Sequence, residues 1–242
     1  MVTAASVKPT FFMARNDNLV SNMFNMCNFQ RVLDVGDADV VVFPGGADVN
    51  PFLYGAKRHP TTQVDYNLDM RDLQVLKNIG DYQSKVGICR GGQFLNCVVG
   101  NGRLYQHVTD HAIYGMHDMH RTHDRYKNYS EIVGVTSTHH QMMIPGQGAE
   151  VIYCANLAKS KETDDEKKVY TDANRANVYD DVEVVFYPDR QTLCYQPHPE
   201  YLNDPGNYFN REVFIGLVAD LLLDGDCAEG VWEKFYDHYQ RP

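Results

Sequence analysis

A cysteine between glycines stands where an apolar run gives way to a helical pattern. Cys89 lies in the segment Val86–Gly92, which reads VGICRGG. The sequence predicts a short buried strand before it, at Lys85–Ile88, and a helix after it, at Gly91–Val99. Glycines on both sides permit a sharp strand-to-helix turn, and a helix N-terminus favours thiolate over thiol. The pattern predicts a nucleophile elbow, although a glycine-rich turn with a buried cysteine also fits it.

A histidine and a glutamate lie about a hundred residues further along the chain. They belong to Gln196–Glu200, which reads QPHPE and follows a predicted strand ending at Tyr195. The two prolines favour an extended chain, in which His198 and Glu200 face the same side. An imidazole oriented by a carboxylate is the base that a cysteine nucleophile requires. We therefore expect Cys89, His198 and Glu200 to share one pocket, the alternative being a proline-rich turn with incidental polar residues.

A glycine-rich loop supplies candidate donors for the same chemistry. Pro44–Pro51, which reads PGGADVNP, follows a β-branched run predicted as a strand at Ala38–Phe43. Attack on an amide carbonyl produces an oxyanion that needs preorganised N–H groups. Backbone amides of this loop and the Arg90 amide at the elbow can provide them, whereas a plain turn is the alternative interpretation.

Five histidines lie close together in the middle of the chain. They are His107, His111, His117, His120 and His123. If the segment is helical, the last three lie roughly along one face, and divalent transition metals accept imidazole readily. Three aspartates lie nearby, at Asp110, Asp118 and Asp124. Because no carboxylate or cysteine completes a recognisable ligand set, we expect no metal site.

Composition narrows the class of protein. The 242 residues are 43% apolar and 22% charged, with a net charge of −10, and no linker divides them. We expect one α/β domain over residues 1–242 that does not bind nucleic acid directly. No apolar stretch of about 18 residues and no signal peptide is visible. Six cysteines without close pairing favour a reduced, cytoplasmic protein without a membrane partner.

The predicted elements follow the order of a parallel α/β sheet, with more strands in the second half. Further strands are predicted at Thr10–Ala14, Glu131–Val135, Glu150–Ala155, Val182–Tyr187 and Thr192–Tyr195. Helices are predicted at Asn18–Phe29, Asp65–Ile79, Tyr208–Leu223 and Trp232–Tyr239. Residues 159–181 are strongly polar, and we expect them to form a solvated surface excursion.

Taken together, the cysteine, histidine–glutamate and glycine-loop segments resemble the class I glutamine amidotransferase superfamily. The likeness is closest to its free-standing γ-glutamyl hydrolase branch, the group that contains γ-glutamyl-γ-aminobutyrate hydrolase. The matching segments are Pro44–Tyr54, Asp69–Asp72, Gly87–Gln93, Leu95–Asn96, Gly102–Gln106, Ser137–Gln141 and Gln196–Glu200. The resemblance implies a flavodoxin-like three-layer sandwich with a central, mostly parallel sheet. Pro197 stands where the family usually has an aromatic residue, and Thr136 where this branch often has asparagine.

The resemblance also implies roles for single residues. Cys89 is expected to be the nucleophile, His198 the general base and acid, and Glu200 the residue that orients His198. The Gly46 and Arg90 amides are expected to form the oxyanion hole. The substrate pocket is expected to include Gly45, Gln93, Ser137, Thr138, His139 and His140.

Three functions follow as alternatives. The first is hydrolysis of a γ-glutamyl amide, in glutamine or in a γ-glutamyl conjugate, through a γ-glutamyl thioester and without a cofactor. The second is a glutaminase subunit that delivers ammonia to a separate synthetase, since the chain carries no glycine-rich P-loop. The third is a non-catalytic binding protein on the same scaffold. The leaving amine stays open, as does assembly into a homodimer.

Overall fold

The computed structural model describes residues 8–80, 82–171, 178–201 and 207–239. Fourteen strands and five helices lie within these ranges. The strands are β1 (Thr10–Met13), β2 (Gln30–Arg31), β3 (Val40–Phe43), β4 (Ser84–Ile88), β5 (Arg103–Tyr105), β6 (His107–Val108), β7 (Ala112–Arg121), β8 (Ile132–Thr138), β9 (Met142–Ile144), β10 (Glu150–Ala155), β11 (Ser160–Glu162), β12 (Lys167–Val169), β13 (Asp181–Tyr187) and β14 (Thr192–Tyr195). The helices are α1 (Asn18–Met26), α2 (Tyr66–Lys77), α3 (Arg90–Val98), α4 (Asn207–Leu222) and α5 (Gly225–Tyr239).

One large sheet organises the described residues. Its nine strands lie in the order β2-β1-β3-β4-β14-β13-β10-β7-β8. The first five of these are mutually parallel, and the last four add antiparallel pairings. Every residue of β3 and β4 is buried, as expected for parallel strands that helices cover on both faces. The predicted parallel core with extra antiparallel strands in the second half is confirmed.

Alternate side chains of the central strands point into two separate cores. On one face Phe11 packs against Phe24 of α1 with ring centroids 5.0 Å apart, and Phe24 contacts Phe214 of α4. On the other face Phe43 stacks on Phe94 of α3 with centroids 5.7 Å apart. This alternation follows from the two-residue period of a strand. Helix, sheet and helix therefore form the predicted flavodoxin-like three-layer sandwich.

Side-chain caps fix where two helices begin. Asp17 accepts a hydrogen bond from the Val20 amide at the start of α1, and Asp65 accepts one from the Asn67 amide at the start of α2. Each carboxylate satisfies an amide that has no partner within its helix and suits the positive end of the helix dipole. In α2 this start turns Asp69 and Asp72 inward, where both are buried.

The histidine-rich segment is a strand rather than a helix. Residues 112–121 form β7 and pair antiparallel with β8 over most of their length. Successive side chains of a strand face opposite sides, so histidines three residues apart do not share a face. His117 is buried, whereas His123 is exposed beyond the strand end. The helical arrangement considered for His117, His120 and His123 is therefore wrong.

The polar excursion is also more structured than a solvated loop. Strands β11 and β12 pair with each other, and β11 pairs with β6, which makes a small three-stranded sheet. Lys161 of β11 is fully buried and forms ion pairs with Asp180 and Asp181. The largely buried strand β11 departs from the expected solvated excursion, whereas the three residues of β12 are exposed. Residues 172–177 lie outside the described residues. A buried lysine whose partners lie about twenty positions away looks like a surface residue in the sequence.

The last helix begins earlier than expected, at Gly225 instead of Trp232. Among the helices that the structure describes, none has the length and apolar character needed to cross a membrane.

Candidate active site

Cys89 occupies a strained turn between β4 and α3. Its backbone has φ 51° and ψ −114°, and it is the N-cap residue of α3. The glycines around it are required by space. A Cβ on Gly87 would lie 2.3 Å from the carbonyl carbon of Gly91, and one on Gly91 would lie 1.9 Å from the backbone oxygen of Phe43. The sequence therefore folds into the predicted nucleophile elbow because only glycine fits at these two positions.

The structure brings Cys89, His198 and Glu200 together. The Cys89 sulfur and the His198 imidazole are hydrogen-bond partners. On the other side of the ring, His198 Nδ1 lies 2.6 Å from Glu200 Oε1. This leaves Nε2 for the sulfur and fixes the ring orientation through the carboxylate. Nucleophile, base and orienting group therefore form the chain of contacts expected of a cysteine hydrolase triad.

The charges of the pair shift both titrations so that the ionised forms are favoured. Burial raises the pKa of the Cys89 thiol, but the charge and hydrogen bond of the His198 imidazolium outweigh burial and hold that pKa below its usual value. Burial lowers the pKa of His198, but Cys89 and Glu200 outweigh it and raise the pKa to about 11. Each shift favours the charged form of its group, so the contact biases the pair toward thiolate and imidazolium.

Two residues outside the motif hold His198 in place. The His198 backbone N–H donates to the Thr136 hydroxyl over 2.8 Å, so the residue at the usual asparagine position reaches the catalytic segment. Tyr201 stacks on the imidazole with centroids 4.7 Å apart and planes 1° from parallel. Pro197 provides no aromatic contact before the histidine, and Tyr201 provides one from the other side. Both contacts restrict the ring to the orientation that Cys89 needs.

A buried ion network connects the elbow to the glycine loop. The Arg90 guanidinium forms ion pairs with Asp69 and Asp72 of α2. Asp72 also pairs with Arg15 over 3.0 Å. Arg15 in turn donates to the carbonyl oxygens of Gly45, at 3.0 Å, and Pro44, at 2.6 Å. One network thus fixes the backbone of both segments that were expected to provide oxyanion donors.

The expected oxyanion donors lie beside the nucleophile. The Arg90 backbone N–H donates to the Cys89 sulfur. Gly46 lines the same cleft as Cys89. A Cβ on Gly45 would lie 3.0 Å from His198 Cε1 and 3.8 Å from the Cys89 Cβ, so this loop position is adjacent to both catalytic groups. Backbone amides from two elements can therefore approach one oxygen atom near the sulfur.

A cleft of about 360 Å³ opens in front of Cys89. It is lined by Gly46, Ala47, Asp48, Gln63, Cys89, Arg90, Gln93, Thr138, His139, His140 and Gln141. Of the residues expected in the substrate pocket, Gln93, Thr138, His139 and His140 lie here. Ser137 does not, because its side chain is fully buried and its hydroxyl donates to the His111 carbonyl. Gln93 is held by the Gln196 side chain at 3.0 Å and the Gln141 carbonyl at 3.2 Å.

Opposite charges lie side by side in this cleft. His140 Nε2 is 3.1 Å from Asp48 Oδ1. The other Asp48 oxygen accepts a hydrogen bond from the Gln63 backbone N–H over 2.7 Å. The hydrogen bond to Asp48 raises the pKa of His140. The cleft therefore presents a carboxylate beside an imidazole whose protonated form is favoured by that carboxylate.

The remaining cysteines have a different character. All six carry a reduced thiol rather than a disulfide. Four of them are buried, and burial raises their pKa values. These four are Cys27, Cys97, Cys154 and Cys194. Cys89 differs from these four, because its pKa lies below the usual thiol value.

Sequence reasoning did not assign Arg15, Asp48, Thr136 or Tyr201 to the site. Asp48 lies inside the glycine-loop motif. A charged residue in that loop is a sequence signal that could have assigned Asp48 to the site. Tyr201 directly follows the QPHPE segment and was equally accessible. Arg15 and Thr136 reach the site only through contacts between distant strands, which the sequence does not display.

Comparisons with known proteins agree with this geometry. The sequence profile described as Peptidase C26 matches residues 28–200. A candidate glutamine amidotransferase-like protein, YvdE, from Lactococcus lactis subsp. lactis strain IL1403 is 39% identical over 75 residues, covering 29% of this chain and 30% of YvdE. Its homolog from Lactococcus lactis subsp. cremoris is 37% identical over 73 residues, covering 29% of this chain and 38% of the homolog. The matched segment thus spans only about a third of these relatives.

Two solved structures show the same fold at low sequence identity. A glutamine amidotransferase from Thermotoga maritima has a TM-score of 0.57 and 12% identity, covering 97% of this chain and all of that one. A candidate GMP synthase subunit from Thermoplasma acidophilum has a TM-score of 0.57 and 13% identity, covering 98% and 99%. At this identity the two structures show a shared fold. The chain belongs to the Peptidase C26 family.

Proposed function

We propose that this protein is a cysteine hydrolase that cleaves a γ-glutamyl amide bond, in glutamine or in a γ-glutamyl conjugate. The observation that carries the proposal is the contact chain from the Cys89 sulfur through the His198 imidazole to the Glu200 carboxylate. It lies at the edge of a polar cleft with glycine-loop amides beside the sulfur. Catalysis of this kind needs a charged nucleophile, a proton donor and oxyanion stabilisation, and each has a residue here.

In the first half-reaction, the Cys89 thiolate attacks the γ-carbonyl carbon of the substrate. The carbonyl oxygen becomes an oxyanion that the Gly46 and Arg90 amides stabilise. The His198 imidazolium then transfers its Nε2 proton to the leaving nitrogen, and the C–N bond breaks. The products are free amine or ammonia and a γ-glutamyl thioester on Cys89. Because the resting pair is already ionised, His198 acts first as an acid.

In the second half-reaction, neutral His198 accepts a proton from water at Nε2. The resulting hydroxide attacks the thioester carbonyl, and the same amides stabilise the second oxyanion. The C–S bond breaks, glutamate leaves, and the thiolate–imidazolium pair is restored. Glu200 keeps its charge throughout and holds the Nδ1 side of the ring, as the carboxylate of a catalytic triad does.

The charges of the cleft suit the amino-acid end of a γ-glutamyl group. That end carries an α-ammonium and an α-carboxylate. Asp48 offers a carboxylate to the ammonium, and the His140 imidazole beside it offers ring N–H groups to the α-carboxylate. The held Gln93 amide completes a polar wall near the sulfur. We propose that these three side chains select an intact γ-glutamyl head group.

A substrate panel tests the proposal. Purified protein is incubated with glutamine, γ-glutamyl amines and γ-glutamyl peptides, and both glutamate and the released amine are quantified. We expect release of both products from at least one γ-glutamyl compound and loss of turnover in Cys89→Ala. Cys227→Ser is the matched control, because this half-buried cysteine lies outside the cleft. Equal turnover by wild type and Cys89→Ala would reject the mechanism.

A second candidate is a glutaminase that passes ammonia to a separate synthetase as one component of a complex. The observation in its favour is that the candidate GMP synthase subunit from Thermoplasma acidophilum shares this fold along nearly its whole length. A component of this kind has low glutaminase activity by itself and higher activity with its synthetase and acceptor. High turnover by the isolated chain favours the free-standing hydrolase instead.

A further inference from the structure

A second group of titratable side chains extends inward from the cleft wall, and the proposed half-reactions do not use it. It consists of His111, His117, His139 and Glu183, which we call the β7–β13 cluster. The exposed fractions of these residues are 0%, 7%, 4% and 0%. They come from the segment before β7, from β7 itself, from the segment after β8 and from β13. Burying three imidazoles and a carboxylate is costly unless each polar atom has a partner.

The members converge on one oxygen atom. Glu183 Oε1 lies 3.1 Å from His117 Nε2, 3.5 Å from His111 Nδ1 and 3.7 Å from His139 Nε2. Neighbouring ligands of a tetrahedral zinc ion, with bonds of about 2.0–2.1 Å, lie about 3.4 Å from each other. One ligand atom each from His111, His117 and Glu183 lies within 4.8 Å of the others. The three distances to Glu183 Oε1 are close to the edge of a metal tetrahedron, and the His139 ring must turn inward to complete the set.

Two of the rings already have their other nitrogen committed. His111 Nε2 lies 3.1 Å from the Asp181 carboxylate, and His139 Nδ1 lies 2.9 Å from the Gln141 carbonyl oxygen. Both oxygens can only accept, so those nitrogens carry the ring protons. In the neutral rings, His111 Nδ1 and His139 Nε2 then present lone pairs toward Glu183. Neither nitrogen has a hydrogen-bond partner, and Glu183 Oε2 has none either.

This pattern is typical of histidines that bind a metal. A metal-binding histidine donates its second ring N–H to a carboxylate or a carbonyl oxygen, which fixes the ring and its tautomer. Lone pairs aimed at a carboxylate oxygen repel it, whereas a cation between them attracts all of these atoms. The third ring, His117, shares a proton with Glu183 through Nε2 at 3.1 Å, and its Nδ1 has no partner. That proton moves to Nδ1 or leaves when a metal takes its place.

The fold explains how these residues meet. Strand β10 lies between β7 and β13, but it ends at Ala155 and pairs with β7 only through Tyr153 and Cys154. His117 lies three residues before the last of these pairings, so it reaches Glu183 past the end of β10. The carboxylate that the local histidine pattern lacks thus comes from a strand 66 positions away.

We propose that His111, His117 and Glu183 bind one divalent transition-metal ion and that the His139 ring turns toward it as the fourth ligand, with zinc as the best match to three imidazoles and a carboxylate. Asp181 and the Gln141 carbonyl orient two of the ligands. Four protein ligands leave no open position, so the ion is structural. It joins β7 and β13 to His139, which lines the cleft in front of Cys89, and so fixes the cleft wall.

Metal loading of the whole chain tests this site directly. The protein is treated with chelator, incubated with ZnCl₂ alone, desalted and analysed by inductively coupled plasma mass spectrometry. We expect about one equivalent of zinc per chain and a higher Tm than that of the chelated protein. CoCl₂ in place of zinc is expected to give the intense visible absorption of four-coordinate Co²⁺. Cys89→Ala binds the same amount, which separates this result from the proposed hydrolysis.

Variants locate the ion. His111→Ala and Glu183→Gln are expected to lose zinc and the cobalt spectrum, whereas His123→Ala, an exposed histidine of the same segment, retains both. Asp181→Asn is expected to weaken zinc binding by about 10–100-fold. Circular dichroism shows whether each variant is folded. The cobalt spectrum of wild type tests the site even if a variant fails to fold. Less than a tenth of an equivalent in loaded wild type, or full zinc retention by folded His111→Ala and Glu183→Gln, would overturn the site.

Discussion

The state of Cys89 depends more on its neighbour than on its position at a helix start. The elbow exposes the sulfur to the Arg90 amide, but burial there opposes ionisation. The His198 imidazolium reverses this effect and lowers the pKa of the thiol. Glu200 in turn helps to raise the pKa of His198. Reactivity is therefore a property of the triad as a unit.

This dependence predicts the pH profile of alkylation. In wild type, iodoacetamide should label Cys89 with a midpoint below the ordinary thiol pKa, because the thiolate persists until pH falls through the lowered value. In His198→Ala burial remains without the cation, so the midpoint moves upward and labelling at pH 7 slows at least about tenfold. Mass spectrometry of labelled peptides in a Cys227→Ser background measures both. An unchanged midpoint in His198→Ala would contradict the assignment.

Thr136 offers a test of positioning. Thr136→Val keeps the shape but leaves the His198 N–H without its acceptor at 2.8 Å. An unsatisfied buried donor costs about 1–3 kcal/mol, and a displaced imidazole lowers kcat, so we expect a loss of about tenfold or more. Thr136→Ser should restore most of the rate because it keeps the hydroxyl. Kinetics of the three proteins measure this, and equal kcat in Thr136→Val would exclude the role.

The sequence predicts the motifs that contain the triad. It does not predict Arg15 and Thr136, which hold those motifs in place. Cys89, His198 and Glu200 lie in segments whose local pattern indicates a turn or an extended chain, and the structure brings them together. Arg15 lies in the bend after β1, and Thr136 lies within β8. Their roles come from contacts 30 and 62 positions away, to Gly45 and His198. No local pattern encodes such contacts.

At the scale of elements, the elbow depends on how closely α3 approaches β3. Gly91 contacts the Phe43 backbone, so a side chain there must push helix and strand apart. The Asp69 and Asp72 side chains of α2 hold Arg90 on the opposite side. The nucleophile is thus placed between three elements that leave little freedom.

Gly91→Ala is therefore expected to impair the enzyme strongly. Its Cβ would lie 1.9 Å from the Phe43 oxygen, and the required shift costs about 1–3 kcal/mol in stability. A displacement of the nucleophile by about 1 Å lowers kcat by about a hundredfold. Urea unfolding and steady-state kinetics measure the two effects. Gly36→Ala is the control, because its Cβ meets only Asp34 Oδ1 at an ordinary 3.4 Å; similar behaviour of both variants would argue against the packing explanation.

Element prediction succeeded where burial leaves a clear pattern. The predicted bounds of β10 and β14 match the structure, because continuous apolar runs mark buried strands. Strand β7 was missed, since its histidine and methionine spacing also fits a helix. Strand β11 was missed because Lys161 is buried by partners that the sequence does not reveal.

Across the whole molecule, a small sheet of β6, β11 and β12 is joined to the large one by buried charge. Lys161 Nζ lies 2.8 Å from carboxylate oxygens of both Asp180 and Asp181, the latter at the start of β13. Lys168 also pairs with Asp180, at 2.9 Å, but it is exposed. Both lysines bind the same aspartate, and they differ in burial, so each is a control for the other.

Lys161→Met should destabilise the protein much more than Lys168→Met. Removing the buried cation takes its charge partner from the fully buried Asp181 carboxylate, at a cost of about 3–5 kcal/mol, whereas an exposed pair is worth about 1 kcal/mol or less. Urea unfolding midpoints with unchanged m-values would measure the difference. Equal midpoints for the two variants would mean that Lys161 does not join the sheets.

The proposed mechanism requires a covalent γ-glutamyl group on Cys89, which mass spectrometry can detect directly. Wild-type protein is mixed with its best γ-glutamyl substrate, quenched in acid within the first turnovers, and analysed by intact-mass and peptide mass spectrometry. The account predicts a mass increase of one γ-glutamyl group on the peptide that contains Cys89, removed by hydroxylamine and absent from Cys89→Ser. An active enzyme that never carries this adduct, or carries it on another residue, would contradict the account.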